Sequence, residues 1–334
     1  MLTLLLGATG YIGQAFSREL RRRGSCFIPL TRSAVDYTCF EQLFDYVRKM
    51  KPEFVINAAG CVGKPNVDAC EQAREETLWG NTLLPQTVAR VCLMTNTPWA
   101  HISTGSIYSG AKIVDSSGTR VVRDLNTPEM RCLFELNPGL FHGFNERDEP
   151  NFSFRSAPCN FYSGTKALAE EAIAKMGQNF IWRLQNPFNE IDRLPNLISK
   201  LERYAKVYDH LGSFSQLDDS VRACLDLWEK HAPYGTYNVA NPGAVTTRQI
   251  VTMMQCILRP DRNFEFWKDD EEFYREGAKA PRANCILDVS KLLSQGIRMR
   301  PVQEAMEDSL EHWQTAARPI QRRTAHSEPL PIVG

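Results

Sequence analysis

The stretch "LTLLLGATGYIGQAFSREL" (2–20) decides how the rest of the chain is read. Leu2 to Leu6 form a short apolar run of the length of a buried strand. From Tyr11 onward, Ile12, Ala15, Phe16 and Leu20 recur at helical spacing until Gly24. Between the two lie Gly7 and Gly10, with Gly13 just inside the helix. Glycines at these places allow a tight turn, a close approach of backbone to a pyrophosphate and close helix packing. The helix N-terminus adds unpaired N–H groups and a partial positive charge. A purely structural turn is the alternative. On the dinucleotide reading, Gly7, Thr9, Gly10, Tyr11, Ile12 and Gly13 are candidate cofactor contacts.

The pattern continues outward from this turn. Strands are expected at 26–30, 54–57, 99–103 and 179–184, and helices at 39–52, 81–95 and 163–176. Strand alternating with helix implies a parallel sheet covered on both faces. The expected fold is α/β: a Rossmann-type, doubly wound parallel sheet with a smaller C-terminal α/β substrate lobe. Residues 1–184 would form the cofactor domain carrying the catalytic residues, 185–316 mainly the substrate lobe, and 317–334 a tail without helical period. "YGTYNVANPG" (234–243) reads as a strand entering a turn and 301–317 as a helix. Residues 110–160, rich in Pro, Gly and Asn, read as a long loop, of the kind that serves as a lid.

Composition narrows the function. The chain has 334 residues, 43% apolar and 23% charged, and Lys plus Arg equals Asp plus Glu at 39 each. No overall field favours nucleic acid or an anionic membrane, so an anionic ligand must be held locally. Ten cysteines without a CxxC pair suggest free thiols in a reducing compartment. The apolar start is too short, and lacks the basic flank, to be a signal peptide or anchor, which makes a cytoplasmic location the default. Six scattered histidines offer no metal-binding spacing.

After the second strand the chain reads "LTRSAVD", with Arg32 rather than an acid at the tip. An arginine can pair with a 2′-phosphate, which favours NADPH, with NADH still possible. Asp36 is the complication; its structural reading is an N-cap for the next helix. Further along, "NFYSGTKALAEE" (160–171) carries Tyr162 and Lys166 four apart on one helix face. An ammonium beside a phenol can bring it toward a useful acid or base. "HISTGSIY" (101–108) sets hydroxyls at the end of an intervening strand.

Together the glycine turn, "KPEFVINAAGCVGKPNVDACE" (51–71), "ISTGSIY" (102–108), "FYSGTKALAEE" (161–171), "YGTYNVANPG" and "APRANCILDVSKL" (280–292) resemble the extended short-chain dehydrogenase/reductases. Within these the likeness is to the dTDP-4-dehydrorhamnose reductases and the plant bifunctional epimerase-reductases of nucleotide 4-keto-6-deoxy sugars. It spans about residues 1 to 315 and is poor over 110–160. The resemblance implies that Thr104 bonds the substrate carbonyl, Tyr162 protonates its oxygen, and Lys166 holds the nicotinamide ribose and tunes Tyr162. It places Asn57, Ala58 and Ala59 along the cofactor, and Asn186 and Arg282 at the diphosphate of a nucleotide sugar. It also implies a possible homodimer.

One departure matters. Where the bifunctional enzymes carry a cysteine used in proton exchange, this chain has Ser106, and an alcohol is far less acidic than a thiol. Lys200 falls where the likeness puts the second epimerisation residue, although an exposed helical lysine reads equally well. The expectation is a 4-ketoreductase without efficient 3,5-epimerisation. The competing readings are an epimerase or bifunctional enzyme, and a non-catalytic regulatory subunit that keeps the cofactor. Aromatic residues in 110–160 and in "FEFWKDDEEFY" (264–274) could stack on a base, with core packing the alternative.

Overall fold

The computed structural model describes residues 2–64 and 66–315. In chain order the first part comprises β1 (Leu2–Leu6), α1 (Tyr11–Arg22), β2 (Cys26–Leu30), α2 (Phe40–Met50) and β3 (Phe54–Asn57). Then come α3 (Asp68–Gln72), α4 (Arg74–Leu78), a π-helical turn (Trp79–Leu83), α5 (Leu84–Met94) and β4 (Trp99–Thr104). The helix expected at 81–95 thus starts earlier and carries a wider turn in its middle. Pro85 sits near the start of α5, where a missing N–H costs little.

Six strands form one parallel sheet. With β5 to β7 assigned below, the later members are β8 (Asn179–Leu184) and β11 (Gly235–Asn238), and the order is β11-β8-β4-β3-β1-β2. The order reverses at β1 and β3. Ligands of open α/β sheets bind in the crevice at such a switch point, beyond the carboxyl ends of the strands.

The alternation of side chains explains why these strands are apolar throughout. Leu5, Phe54, Ile56, Phe180 and Trp182 face α1 and the helix Leu217–Glu229, packing on Phe16, Leu20, Leu217 and Val221. Leu4, Leu6, Val55, Trp99 and Ile181 face the opposite way, onto Leu43, Val47, Val88 and Val91. Both faces are covered, so neither can be polar.

Residues 110–160 differ from expectation. They contain a three-stranded antiparallel sheet, β5 (Ala111–Asp115), β6 (Gly118–Val122) and β7 (Phe141–His142), in the order β6-β5-β7. They also contain α6 (Pro128–Leu136), whose N-cap Thr127 accepts a hydrogen bond from the Met130 N–H at 3.3 Å. The segment is fastened to distant chain by bridges from Gly110 to Cys285 and from Phe144 to Leu287. α7 (Phe161–Ile173) follows, capped by Asn160.

After β8, α8 (Leu197–Arg203) packs with the helices Thr247–Ile257 and Val302–Glu311 around Phe188, Ile198, Phe214, Ile250, Met254 and Met306. The helix Leu217–Glu229 and β11 return to the main sheet although they follow residue 184. The expected tail at 317–334 lies outside the described residues. Among the described residues, no helix is long and apolar enough to cross a membrane.

Candidate active site

The glycine turn is shaped by sterics. Gly7 has φ +72°, and a Cβ there would lie 2.6 Å from the Ala59 nitrogen. A Cβ on Gly13 would strike the Gly7 carbonyl. β1, the turn after β3 and the first turn of α1 therefore meet more closely than side chains allow. Gly10, the N-cap of α1, has no side chain to satisfy the helix's first N–H groups. The result is a cradle of free backbone donors at the switch point, which fits a dinucleotide pyrophosphate.

Around it, Asn57 is fully buried. Its carbonyl accepts the Ala59 N–H at 3.1 Å, so its amide nitrogen faces His101 Nδ1 at 3.2 Å. This holds the Asn57–Ala58–Ala59 turn in place, while the Ala58 N–H donates to the Leu6 carbonyl at 3.1 Å. The Tyr11 hydroxyl is engaged elsewhere, donating to Asn189 Oδ1 at 2.8 Å and so tying α1 to the chain after β8. Thr9 offers its carbonyl to Gln14 Nε2 at 2.7 Å, and Ile12 is half-buried against the core. Arg32 is exposed just beyond β2. Asp36 is not the cap of α2, whose N-cap is Cys39. Its carboxylate instead closes a local turn, accepting from the Thr38 N–H at 3.1 Å and hydroxyl at 2.6 Å. A carboxylate two residues from a backbone N–H closes such turns without being helical itself.

The second cluster lies where β4 ends and α7 begins. Thr104, the last residue of β4, is 6% exposed. Its Oγ1 accepts the Ser106 N–H at 3.1 Å and is hydrogen-bonded to the Tyr162 hydroxyl. Burial pushes the Tyr162 phenol up to about 12, with the Thr104 bond pulling the other way. The sequence led us to expect an ammonium lowering that value. Here the Lys166 Nζ donates to the Ile102 carbonyl at 3.0 Å, and burial dominates at the phenol. A phenol near 12 is fully protonated at neutrality, the form a proton donor requires. Burial lowers Lys166 itself to about 8, partly opposed by Glu170 one turn on.

Two features here escaped the sequence reading. Asn81, fully buried in the π-helical turn, accepts the Cys61 N–H and donates to the Cys61 carbonyl, both at 2.8 Å, and reaches Thr165 Oγ1 at 3.3 Å. A Cβ on Gly60 would lie 3.2 Å from Asn81 Oδ1 and 3.5 Å from Lys166 Nζ, so amide, ammonium and backbone converge. A π turn often marks a functional site, and an asparagine inside a helical run was the available signal. The second is an ion pair beneath the cluster. Arg183 of β8 grips Glu170 of α7 at 2.6–3.1 Å and reaches the Tyr108 hydroxyl at 3.0 Å, while Ser103 of β4 donates to Glu170 at 2.5 Å. Arg183 and Glu170 are 5% and 6% exposed.

The remaining candidates are spread along a cleft. Ser106 donates to Gln185 Oε1 at 3.2 Å. Asn186, next in chain, has φ +39° and is half-buried. Arg282 is held in a two-bond fork by Asp68, both contacts 2.7 Å. Burial alone would raise Asp68, but the Arg282 bonds outweigh it and hold the carboxyl below its usual range. Lys200 is half-buried rather than exposed. Burial and then the neighbouring Arg282 charge lower its pKa, and its ammonium has no hydrogen bond or ion pair among the described residues. Beyond Arg282 opens a cavity of about 340 Å³ between the 110–160 segment and the later lobe.

Residues 1–128 match the RmlD substrate binding domain family. The chain is 28% identical over 304 residues to the bifunctional dTDP-4-dehydrorhamnose 3,5-epimerase/dTDP-4-dehydrorhamnose reductase of Arabidopsis thaliana, covering 91% of this chain and 90% of that protein. The chain resembles the dTDP-4-dehydrorhamnose reductases. It is also 28% identical to a trifunctional UDP-glucose 4,6-dehydratase/UDP-4-keto-6-deoxy-D-glucose 3,5-epimerase/UDP-4-keto-L-rhamnose-reductase of the same plant, of which it spans 41%. Among solved structures, the fold matches the L780 UDP-rhamnose synthase of Acanthamoeba polyphaga mimivirus with a TM-score of 0.77 and 21% identity, over 93% of this chain and 99% of that one. It matches a dTDP-4-dehydrorhamnose reductase from Clostridium acetobutylicum with a TM-score of 0.73 and 18% identity, over the same shares.

Proposed function

We propose that this protein is an NADPH-dependent reductase of the 4-keto group of a nucleotide-diphosphate-linked 4-keto-6-deoxy sugar, acting in deoxysugar biosynthesis. The observation that carries the reading is the Thr104–Tyr162 hydroxyl pair beside the buried Lys166, at the same sheet end as the glycine cradle. Reductive chemistry needs these two things side by side: a dinucleotide site and a protonated donor.

Thr104 and Tyr162 would receive the ketone oxygen, exchanging their mutual hydrogen bond for bonds to the substrate. Tyr162 passes its proton to that oxygen as charge develops on it. Lys166, clamped to the Ile102 carbonyl, places a positive charge close to Gly60 and the first turns of α7. The bound nicotinamide would supply the hydride, while the protein supplies position and electrostatics. The cradle residues Gly7, Gly10 and Gly13, with Asn57 to Ala59, would hold the cofactor, and Arg32 would pair with a 2′-phosphate.

The diphosphate of the sugar would lie between Lys200 and Arg282. A half-buried lysine with no acid of its own, close to the Asp68-paired Arg282, would keep its charge best with an anion beside it. Residues up to 184 chiefly serve the cofactor and those after it chiefly the substrate, with the Leu217–Glu229 helix and β11 as exceptions. Epimerisation finds half of its equipment: Lys200, lowered toward a useful base, but the alcohol of Ser106 where a thiol is required.

Two assays test this. NADPH oxidation with UDP- and dTDP-linked 4-keto-6-deoxy sugars should show turnover with at least one, and none with either would defeat the reading. Incubation of the same ketones in deuterated water without reductant should leave the flanking carbons unlabelled; rapid deuterium uptake would restore the epimerase.

A further inference from the structure

The cavity beyond Arg282 is walled on one side by the 110–160 segment, the part of the chain where the resemblance is poor. Leu125 and Asn126 stand there on the β6–α6 connection, facing Tyr208, Asp270 and Tyr274 of the later lobe. The polar groups of this wall form an ordered chain. Asn126 Nδ2 lies 2.6 Å from the Tyr208 hydroxyl and 3.3 Å from Asp270 Oδ1, and the Tyr208 hydroxyl lies 3.1 Å from the same Asp270 oxygen.

The chemistry of these partners assigns the protons among the three groups. The Asp270 carboxylate can only accept, so the Tyr208 hydroxyl donates to it, and burial first and then the neighbouring Tyr274 and Asp270 keep that phenol protonated. The Tyr208 oxygen is then an acceptor for Asn126 Nδ2, whose other hydrogen turns to Asp270. The reversed amide would set a carbonyl against the carboxylate, so its orientation is decided by chemistry. Asn126 lines the cavity, and its Oδ1 is left over: buried, with no partner among the described residues. An unfilled acceptor in such a place costs free energy until a donor arrives.

The cavity also lies at the right end of the cleft. Asn160, two residues before Tyr162, donates to the Pro281 carbonyl at 2.9 Å. Arg282 follows, and its N–H meets the Tyr274 hydroxyl at 3.2 Å. Tyr274 touches Tyr208, which is stacked on Phe273 with ring centroids 3.9 Å apart. From the proton donor outward, the order is therefore acid, cations, aromatic cavity, which is the order of ketone, diphosphate and base in a nucleotide sugar.

We propose that Asn126 is a specificity-determining residue that reads the nucleobase, its fixed acceptor selecting bases whose Watson–Crick ring nitrogen carries a hydrogen. Uracil, thymine and guanine present such an N–H. Cytosine and adenine present a lone pair there, which would face the Asn126 oxygen and be repelled. This rests on the nucleotide-sugar reading above and adds the class of base to it.

The test is calorimetric titration of the full chain with UDP, dTDP, GDP, CDP and ADP. At least one of the first three should bind about tenfold or more tighter than CDP and ADP, the scale of one hydrogen bond gained against one left unmade. Asn126→Leu, close in size but without the acceptor, should flatten that preference while NADPH affinity stays as in the parent. Tyr208→Phe should weaken the preference too, because it frees the amide to turn, and it serves as the second variant if Asn126→Leu does not fold. Equal binding of all five in the parent, or a preference that survives both substitutions, overturns the base reader and leaves the nucleotide-sugar reading standing. Failure of every diphosphate to bind, with NADPH still bound, overturns both.

Discussion

Gly13 and Gly110 are two places where an added methyl group would strike a backbone carbonyl, that of Gly7 in one case and Val122 in the other. Gly13 closes a contact within one turn of chain, between β1 and α1. Gly110, at φ +93°, opens a segment whose strands are held to Cys285 and Leu287, far away in the chain, and the space it preserves is for the protein itself. The glycine turn is built from neighbours in sequence, and the 110–160 segment is held by partners brought to it by the fold. Chemistry common to many ligands can be written locally, whereas shape fitted to one ligand has to be assembled.

The sharpest way to break this comparison is at the acid. Tyr162→Phe should lower turnover by about 10²–10⁴-fold, the range for loss of a positioned proton donor, with NADPH affinity unchanged. Unchanged turnover would remove Tyr162 from that role. Next comes the ion pair beneath it. Arg183→Met leaves Glu170 buried without its partner, and denaturant unfolding should show a loss of about 3–5 kcal/mol. A loss below 1 kcal/mol would mean that Ser103 satisfies the carboxylate without the arginine.

The glycines themselves come third. Gly13→Ala should weaken NADPH binding by about tenfold or more. Gly110→Ala should leave that affinity alone and destabilise the fold by about 1–3 kcal/mol through backbone strain. Equal losses of cofactor affinity in the two variants would erase the distinction drawn between them.

The smallest effect is a pH dependence. Burial holds Lys166 near 8 in the folded chain against an ordinary 10.5. Its ammonium is therefore present below about pH 8 and lost above it, so kcat/KM should fall as pH rises past that value. Over the same window, from about 8 to 10.5, the unfolded chain binds the extra proton, so the contribution of Lys166 to stability rises with pH. Activity and stability should thus move in opposite directions, and Lys166→Arg should flatten both slopes. Parallel slopes would show that some other group titrates.

What the sequence disclosed follows the same division. The strand–glycine–helix turn and the Tyr162–Lys166 spacing were legible because each is complete within one or two turns of chain. Glu170 and Arg183 could be seen as charged residues, but nothing in their spacing revealed that they meet across α7 and β8. Asp68 and Arg282 lie 214 residues apart, and Asn126 and Tyr208 lie 82 apart, so only the folded chain pairs them. α6 is a different case. Thr127, Pro128 and Glu129 formed a readable start signal, yet the surrounding Pro, Gly and Asn residues suggested a loop. β5 and β6 pair with each other in a tight hairpin around Ser116 and Ser117, whereas the two-residue β7 reaches β5 from further along the chain, and composition alone pointed away from order.

The Glu170–Arg183 pair has a consequence for how such a protein can diversify. It joins α7, β8 and, through Ser103, β4 directly under Thr104 and Tyr162, and meets the chain just before the 110–160 segment through Tyr108. The floor beneath Thr104 and Tyr162 is thus bolted together before the chain departs at Gly110 and after it returns at Asn160. A segment inserted between two such fixed points can lengthen, shorten or be exchanged while the floor keeps its register. The stretch between β4 and α7 is therefore the natural place for the chain to vary while the floor beneath Thr104 and Tyr162 stays unchanged.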